Sequence, residues 1–388
     1  MRSATVVWVF SSLCAGVMAS APGAAAAQSV VVQRPFAVER FATLPPEADF
    51  PQGIAVDPRT GDVFVGTFDL RPDGSGTNFI LRFSRRGRLE SQLAVGPIPV
   101  TGLAFNPRDR KIYFGRPAAF LGLDSLVQRV PRDFDSATPV EDVVTVENVG
   151  APPPRTEITL DGQPIVTTFP DSIAAPNQLL FTEREGRSIL QVTDPLQGAL
   201  YSFRDPELAG PSCDSGTGPC PELLEVMQIT QFASSGLPQL GINGLTAIER
   251  SDGGPADMFV TNTGDSRLLR LLDRPPFAET VTDSLNGAAA IVPGPAGTLI
   301  VSRALEDSVA IVDPENGRIL AEIGEFRGIR RDGSPRGLLF PASIARFGDD
   351  ILAGNLALPL TGNVSEPESD VRKYTISRVR IPRRFPGR

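Results

Sequence analysis

The feature that most limits what this chain can fold into is a couplet of two short apolar strands around a polar turn, repeated six times after residue 50. The first copy is Phe50-Pro-Gln-Gly-Ile-Ala-Val-Asp57 followed by Asp62-Val-Phe-Val-Gly-Thr67. The second is Val100-Thr-Gly-Leu-Ala-Phe105 followed by Lys111-Ile-Tyr-Phe-Gly-Arg116. The couplet returns at Pro176-Asn-Gln-Leu-Leu-Phe181 with Ser188-Ile-Leu-Gln-Val-Thr-Asp194, and at Ile242-Asn-Gly-Leu-Thr-Ala247 with Asp257-Met-Phe-Val-Thr-Asn262. Its last two copies are Leu285-Asn-Gly-Ala-Ala-Ala290 with Thr298-Leu-Ile-Val-Ser-Arg303, and Pro341-Ala-Ser-Ile-Ala-Arg346 with Asp350-Ile-Leu-Ala-Gly-Asn355. A third alternating strand follows most copies, as in Phe79-Ile-Leu-Arg-Phe83, and often a fourth. The spacings, 49 residues from Gly53 to Gly102 and 43 from Gly244 to Gly287, match four-stranded blades, and no helical periodicity competes. The expectation is an all-β, six-bladed β-propeller, one domain over residues 28–388, with blades starting near 50, 100, 176, 242, 285 and 341. A strand at residues 36–44 should pair with the last blade near 373–380, because closing the ring removes an open sheet edge.

Composition supports this reading. Gly and Pro, 37 of each, supply the turns that some two dozen short strands require. An excess of 45 acidic over 37 basic residues speaks against nucleic acid, which calls for a basic stripe. There is no His, which removes imidazole bases and every His-ligated metal site. Residues 1–27 have the plan of a secretory signal peptide: Arg2, an apolar run, then small residues ending Ala25-Ala-Ala27. That implies a secreted or periplasmic protein with no membrane segment after cleavage, and a monomer is expected. Without Cys14, the remaining Cys213 and Cys220 should close one local disulfide.

Propeller geometry sorts the loops. Each first strand runs down the channel from the face called top here, so the long connections, such as 150–172, 324–340 and 356–370, fall on top, while first-to-second turns fall at the bottom. Loops carry function on rigid scaffolds, which makes the top the expected ligand face. Residues 156–168, with Asp161-Gly162 between alternating strands, read as an inserted hairpin there. At the starts of the first strands stand Gln52, Thr101, Asn177, Asn243, Asn286 and Ala342 or Ser343. Amide oxygens suit Ca2+; the alternative is that each Asn only caps a turn. A second ring ends the second strands: Thr67, Arg116, Asp194, Asn262, Arg303 and Asn355. Asp194, its only carboxylate, is the expected base or metal ligand. Arg116 and Arg303 could clamp an anionic small molecule, with Asn262, Thr101 and Asn355 lining the same mouth. Arg327, Arg330, Arg331 and Arg336 would extend that field.

The couplets Pro176-Asn-Gln-Leu-Leu-Phe181 with Val192-Thr-Asp194, and Asn243-Gly-Leu with Phe259-Val-Thr-Asn-Thr263, resemble the blade signature of the SMP-30/gluconolactonase/LRE-like propellers, whose shape is shared by NHL, strictosidine synthase-like and paraoxonase proteins. The resemblance implies a divalent cation, Ca2+, at the channel mouth and hydrolysis of a lactone or ester by a metal-bound water. Asn177 and Asn243 match the family's Asn ligands. Gln52 stands where a Glu is expected, and Asn286 where an Asp or an Asp-Asn pair is expected. These amides lower the ligand charge and take away the base, leaving Asp194 first, with Asp171 and Asp283 behind it. A noncatalytic propeller that binds a small ligand or a protein partner is the alternative.

Overall fold

The computed structural model describes residues 38–382 apart from 72–75, 152–153, 159–160, 168–172, 230–239, 251–253, 255, 275–276 and 361–364. The expected leader at 1–27, the Arg-rich end of the tail and Asp171 lie outside the described residues.

Six antiparallel four-stranded sheets form the molecule. Blade 1 is built from Pro51–Val56, Val63–Thr67, Asn78–Phe83 and Leu89–Gly96, and blade 2 from Leu103–Asn106, Lys111–Arg116, Leu126–Pro131 and Glu141–Thr145. Blade 3 comprises Leu179–Arg184, Arg187–Asp194, Ala199–Arg204 and Glu222–Gln228; blade 4 comprises Ile242–Ile248, Asp257–Asn262, Arg267–Leu271 and Ala278–Thr282. Blade 5 holds Ala288–Pro293, Leu299–Arg303, Ser308–Val312 and Ile319–Ile323. Blade 6 takes three strands from the end of the chain, Pro341–Phe347, Asp350–Asn355 and Thr375–Val379, and its fourth from the beginning, Val38–Thr43. The closing pair runs antiparallel from Val38 opposite Val379 to Thr43 opposite Thr375. The first strands touch in ring order and return from blade 6 to blade 1.

The core sits between blades, not in the channel. Six apolar clusters occupy the six blade-to-blade interfaces of the described residues. This explains why second strands such as Val63–Thr67 are buried at every position: a middle strand packs on a neighbouring blade with both of its faces. Turns obey local chemistry. In blade 1 the Asp57 carboxylate accepts the Arg59 N–H at 2.9 Å and Gly61 takes φ 75°, which closes the bottom turn.

Blade junctions explain the Gly in the repeat. A Cβ on Gly53 would lie 2.0 Å from the Thr101 carbonyl oxygen, and one on Gly244 2.3 Å from that of Ala289. The next blade approaches so closely that only a hydrogen fits. Thr side chains lock the two seams in between: Thr101 of blade 2 donates to the Pro176 carbonyl ahead of blade 3 at 2.6 Å, and Thr193 of blade 3 to that of Asn243 in blade 4 at 2.5 Å.

Three insertions decorate the ring. Arg155–Ile158 pairs with Pro164–Thr167 across the Asp161-Gly162 turn, the expected hairpin. Phe326–Ile329 pairs with Pro335–Gly337. Cys213 and Cys220 form the expected disulfide, with Cα atoms 5.0 Å apart.

Candidate functional site

Strand register defines the ring at the top of the channel. Pro51 pairs with Thr67, Ile242 with Asn262, Ala288 with Arg303 and Pro341 with Asn355. The residue after each partner on the first strand therefore holds the ring position: Gln52, Asn243, Ala289 and Ala342. Backbone bonds from Thr101 to Gly115 and from Asn177 to Thr193 add Thr101 and Asn177.

Blade 5 departs from the sequence expectation. Leu285-Asn286-Gly287 copies the phrase Ile242-Asn243-Gly244, yet it forms a turn before the strand, with Gly287 at φ 68° and the Ala288 N–H bonded to the Leu285 carbonyl. Asn286 is exposed and donates to Glu306 at 3.3 Å. Ala289, three residues later, occupies its place, because only the Ala288–Arg303 pairing buries Leu285, Ala288 and Ile291 together against blade 4.

Asn177 and Asn243 do meet. The Asn177 side-chain N–H donates to the Asn243 side-chain oxygen across the seam between blades 3 and 4, and Asn243 donates onward to Thr263 Oγ1 at 2.9 Å. Gln52 has a buried Oε1 with no hydrogen-bond partner, and Ser343, beside the ring in blade 6, has a buried Oγ in the same condition. Unmet buried acceptors are uncommon and ask for a donor or a cation.

The second ring is structural in its contacts. The Asp194 carboxylate is fully buried. One of its oxygens accepts the Leu196 and Gln197 N–H groups, both at 3.0 Å, and the other accepts the Ala175 N–H and the Gln197 side chain, both at 2.7 Å. Four bonds saturate a carboxylate, so Asp194 holds the turn after its strand and has no lone pair left for a metal or a substrate proton. Burial pushes its pKa upward against these bonds. Asn355 accepts the Leu339 N–H at 3.1 Å and donates to Thr375 and Ser377 at 2.9 and 3.0 Å. Asn262 accepts the Asp265 N–H at 3.1 Å and leaves its buried side-chain N–H groups unpartnered. Arg116 donates to the Val95 carbonyl at 2.7 Å, and burial pushes its pKa down to about 10. Arg303 is held by Glu322 at 2.8 Å and Glu306 at 3.4 Å. Arg327 pairs with Glu325, and Asp283 is exposed.

One carboxylate on the top loops escaped sequence reasoning. Asp307 lies between the second and third strands of blade 5 at φ 50°, and accepts the Phe340 N–H at 2.8 Å, two residues before ring position Ala342. Burial, with lesser repulsion from Glu368 and Glu306, outweighs that bond and pushes its pKa up to about 6. No local motif marks it, since its environment comes from blade 6.

A raised folded-state pKa means that the folded chain holds this proton more tightly than the unfolded one does. Stability from Asp307 is therefore full below about pH 4 and is lost as pH rises towards 6. Asp307→Asn keeps an acceptor for Phe340 and is expected to stabilise the protein by about 2 kcal/mol at pH 7.5 but not at pH 4. Urea unfolding at the two pH values checks this; an equal change at both would contradict it.

No protein-family model matches the sequence, and no curated protein does. Among solved structures, luciferin-regenerating enzyme matches with 13% identity over 89% of this chain and 95% of that one, at a TM-score of 0.53. A catalytically inactive virginiamycin B lyase from Staphylococcus aureus, solved with quinupristin, matches at 14% identity, 89% and 99% coverage and TM-score 0.48. A streptogramin B lyase matches at 12%, 89% and 97%, and 0.47. At such identity the first likeness establishes the fold, a propeller as the sequence resemblance implied, and leaves the chemistry to the site.

Proposed function

Proceeding from that shared fold, we propose that the chain is an SMP-30/gluconolactonase/LRE-like propeller, secreted or periplasmic, whose top mouth binds a small lactone or ester and hydrolyses it. The observation that carries this reading is the Asn177–Asn243 contact between adjacent blades, at the same ring level as the unpartnered Oε1 of Gln52. Three amides, two at the heads of inner strands and Asn177 just before a third, offer hard oxygen donors of the kind that Ca2+ accepts. Among the described residues no group of three or more Asp, Glu or Cys side chains stands ready to hold an ion. A neutral donor set of this kind belongs with weak sites, with a Kd of roughly 0.1–1 mM. Such a cation, when bound, would polarise a carbonyl oxygen.

The chain's own groups do the rest. The amide N–H groups of Asn177 and Asn243 orient the carbonyl compound. Asp307, with a pKa of about 6, is ionised at neutral pH and takes the part of general base that Asp194 is too fully bonded to play. The neutral ring favours a second reading, binding without turnover.

A screen of lactones and aryl esters with Ca2+ or a chelator separates the two. The expected result is Ca2+-dependent turnover that falls at least ~100-fold in Asn243→Ala and that rises with pH through about 6, a rise that Asp307→Asn abolishes. Turnover indifferent to the metal and to both substitutions would sink the hydrolase reading. A Ca2+-dependent gain in melting temperature with no turnover would establish binding alone.

A further inference from the structure

A second concavity lies at the other end of the channel. A cavity of about 1650 Å³ opens at the bottom face, and none of the amide ring residues lines it. Its upper walls are apolar first-strand residues, among them Ala55, Leu103 and Ala345, and its rim carries six arginines. Three of these are neutralised: Arg108 pairs with Glu183 at 2.7 Å, Arg378 with Asp350 at 2.6 Å and Arg380 with Glu39 at 3.0 Å. Arg59, Arg85 and Arg346 make no ion pair among the described residues.

These three come from neighbouring blades. Arg59 sits in the first bottom turn of blade 1, and Gly61 of the same turn packs against the Arg85 side chain, a Cβ there lying 3.1 Å from that of Arg85. Arg346 ends the first strand of blade 6, which adjoins blade 1. It donates to the Gly348 carbonyl at 3.0 Å through Nη2, while Nη1 is out of water with no partner. A desolvated guanidinium nitrogen is unfavourable until an acceptor reaches it. The acids lining the cavity do not cancel this pole. Glu183 and Asp350 are paired as above, Asp57 pairs with Arg132 at 2.7 Å and Asp349 is also partnered. Glu249 enters from blade 4, across the ring.

We infer that this funnel is a second ligand site, separate from the amide ring, for an organic monocarboxylate with an apolar body. Arg346, Arg59 and Arg85 take the carboxylate in charge-assisted hydrogen bonds, and the apolar walls take the body. The site stands or falls independently of any turnover at the top.

Calorimetric titration of the mature protein with octanoate tests it. The expected Kd is below about 1 mM, weakened at least ~10-fold in Arg346→Gln and in the double variant Arg59→Gln/Arg85→Gln. The neutral analogue 1-octanol and inorganic phosphate should each bind at least ~10-fold more weakly than octanoate. If Arg346→Gln lowers the melting temperature, the double variant, whose two residues are exposed, still decides the matter. No octanoate binding, or equal binding by wild type and both variants, would overturn the proposal. Phosphate binding as tight as octanoate would overturn the apolar half of it.

Discussion

Gly53→Val is expected to yield no folded protein, and Gly53→Ala to cost about 3 kcal/mol, at the upper end of overpacking. The added carbon would lie 2.0 Å from the Thr101 carbonyl oxygen and 2.6 Å from a Leu103 methyl, both belonging to the next blade. A backbone carbonyl cannot rotate away as a side chain can, so the seam between blades 1 and 2 has to open. Opening it exposes the cluster in which Ala55, Phe64 and Ile80 meet Val100, Leu103 and Phe114. Gly96→Ala provides the comparison. It has φ 83° but no atom within 4 Å of a Cβ, so it should lose only the conformational cost of about 1–2 kcal/mol. Denaturant unfolding of the two Ala variants separates close approach from backbone strain; equal losses would show that the seam yields.

Removing residues 38–44 should abolish cooperative folding as a monomer. These residues supply the fourth strand of blade 6, and Ala42 and Leu44 fill the cluster between blades 6 and 1. Without them Thr375–Val379 becomes a bare, largely buried edge in an open ring, the arrangement that invites strand-to-strand association. Calorimetry and size-exclusion chromatography of a chain starting at residue 45 should show a broadened, lowered transition and larger species. A sharp, unshifted transition from a monomer would mean that the ring holds without its closing strand.

The ring-closing pair was legible in the sequence because a strand at residues 36–44 precedes the first couplet and another near 373–380 follows the last, and pairing them removes an open sheet edge. The disulfide was legible by counting, since Cys213 and Cys220 are the only cysteines after Cys14. The site was legible in part. Asn177 and Asn243 stand at like positions in like phrases, and the structure joins them. Asn286 stands in the same phrase and is displaced by three residues, because a Gly after Asn serves two purposes. At Gly244 it admits the neighbouring carbonyl; at Gly287 it supplies a left-handed turn. A one-dimensional pattern does not separate these two uses of glycine.

The sequence by itself determined the number of blades, the order of strands and the closure of the ring. Those follow from local periodicity and turn chemistry, which each segment carries within itself. Only the tertiary structure decided which polar groups are available. Asp194 looks like a base in the sequence, but the Ala175 amide and the Gln197 side chain occupy it. Asp307 looks like a loop residue, and blade 6 buries it and raises its pKa. Arg346 lies in a strand like any other, and the packing at the bottom of the channel strands one of its nitrogens. Availability is a property of solvation and of partners brought from distant segments. It is settled only when the blades close around each group.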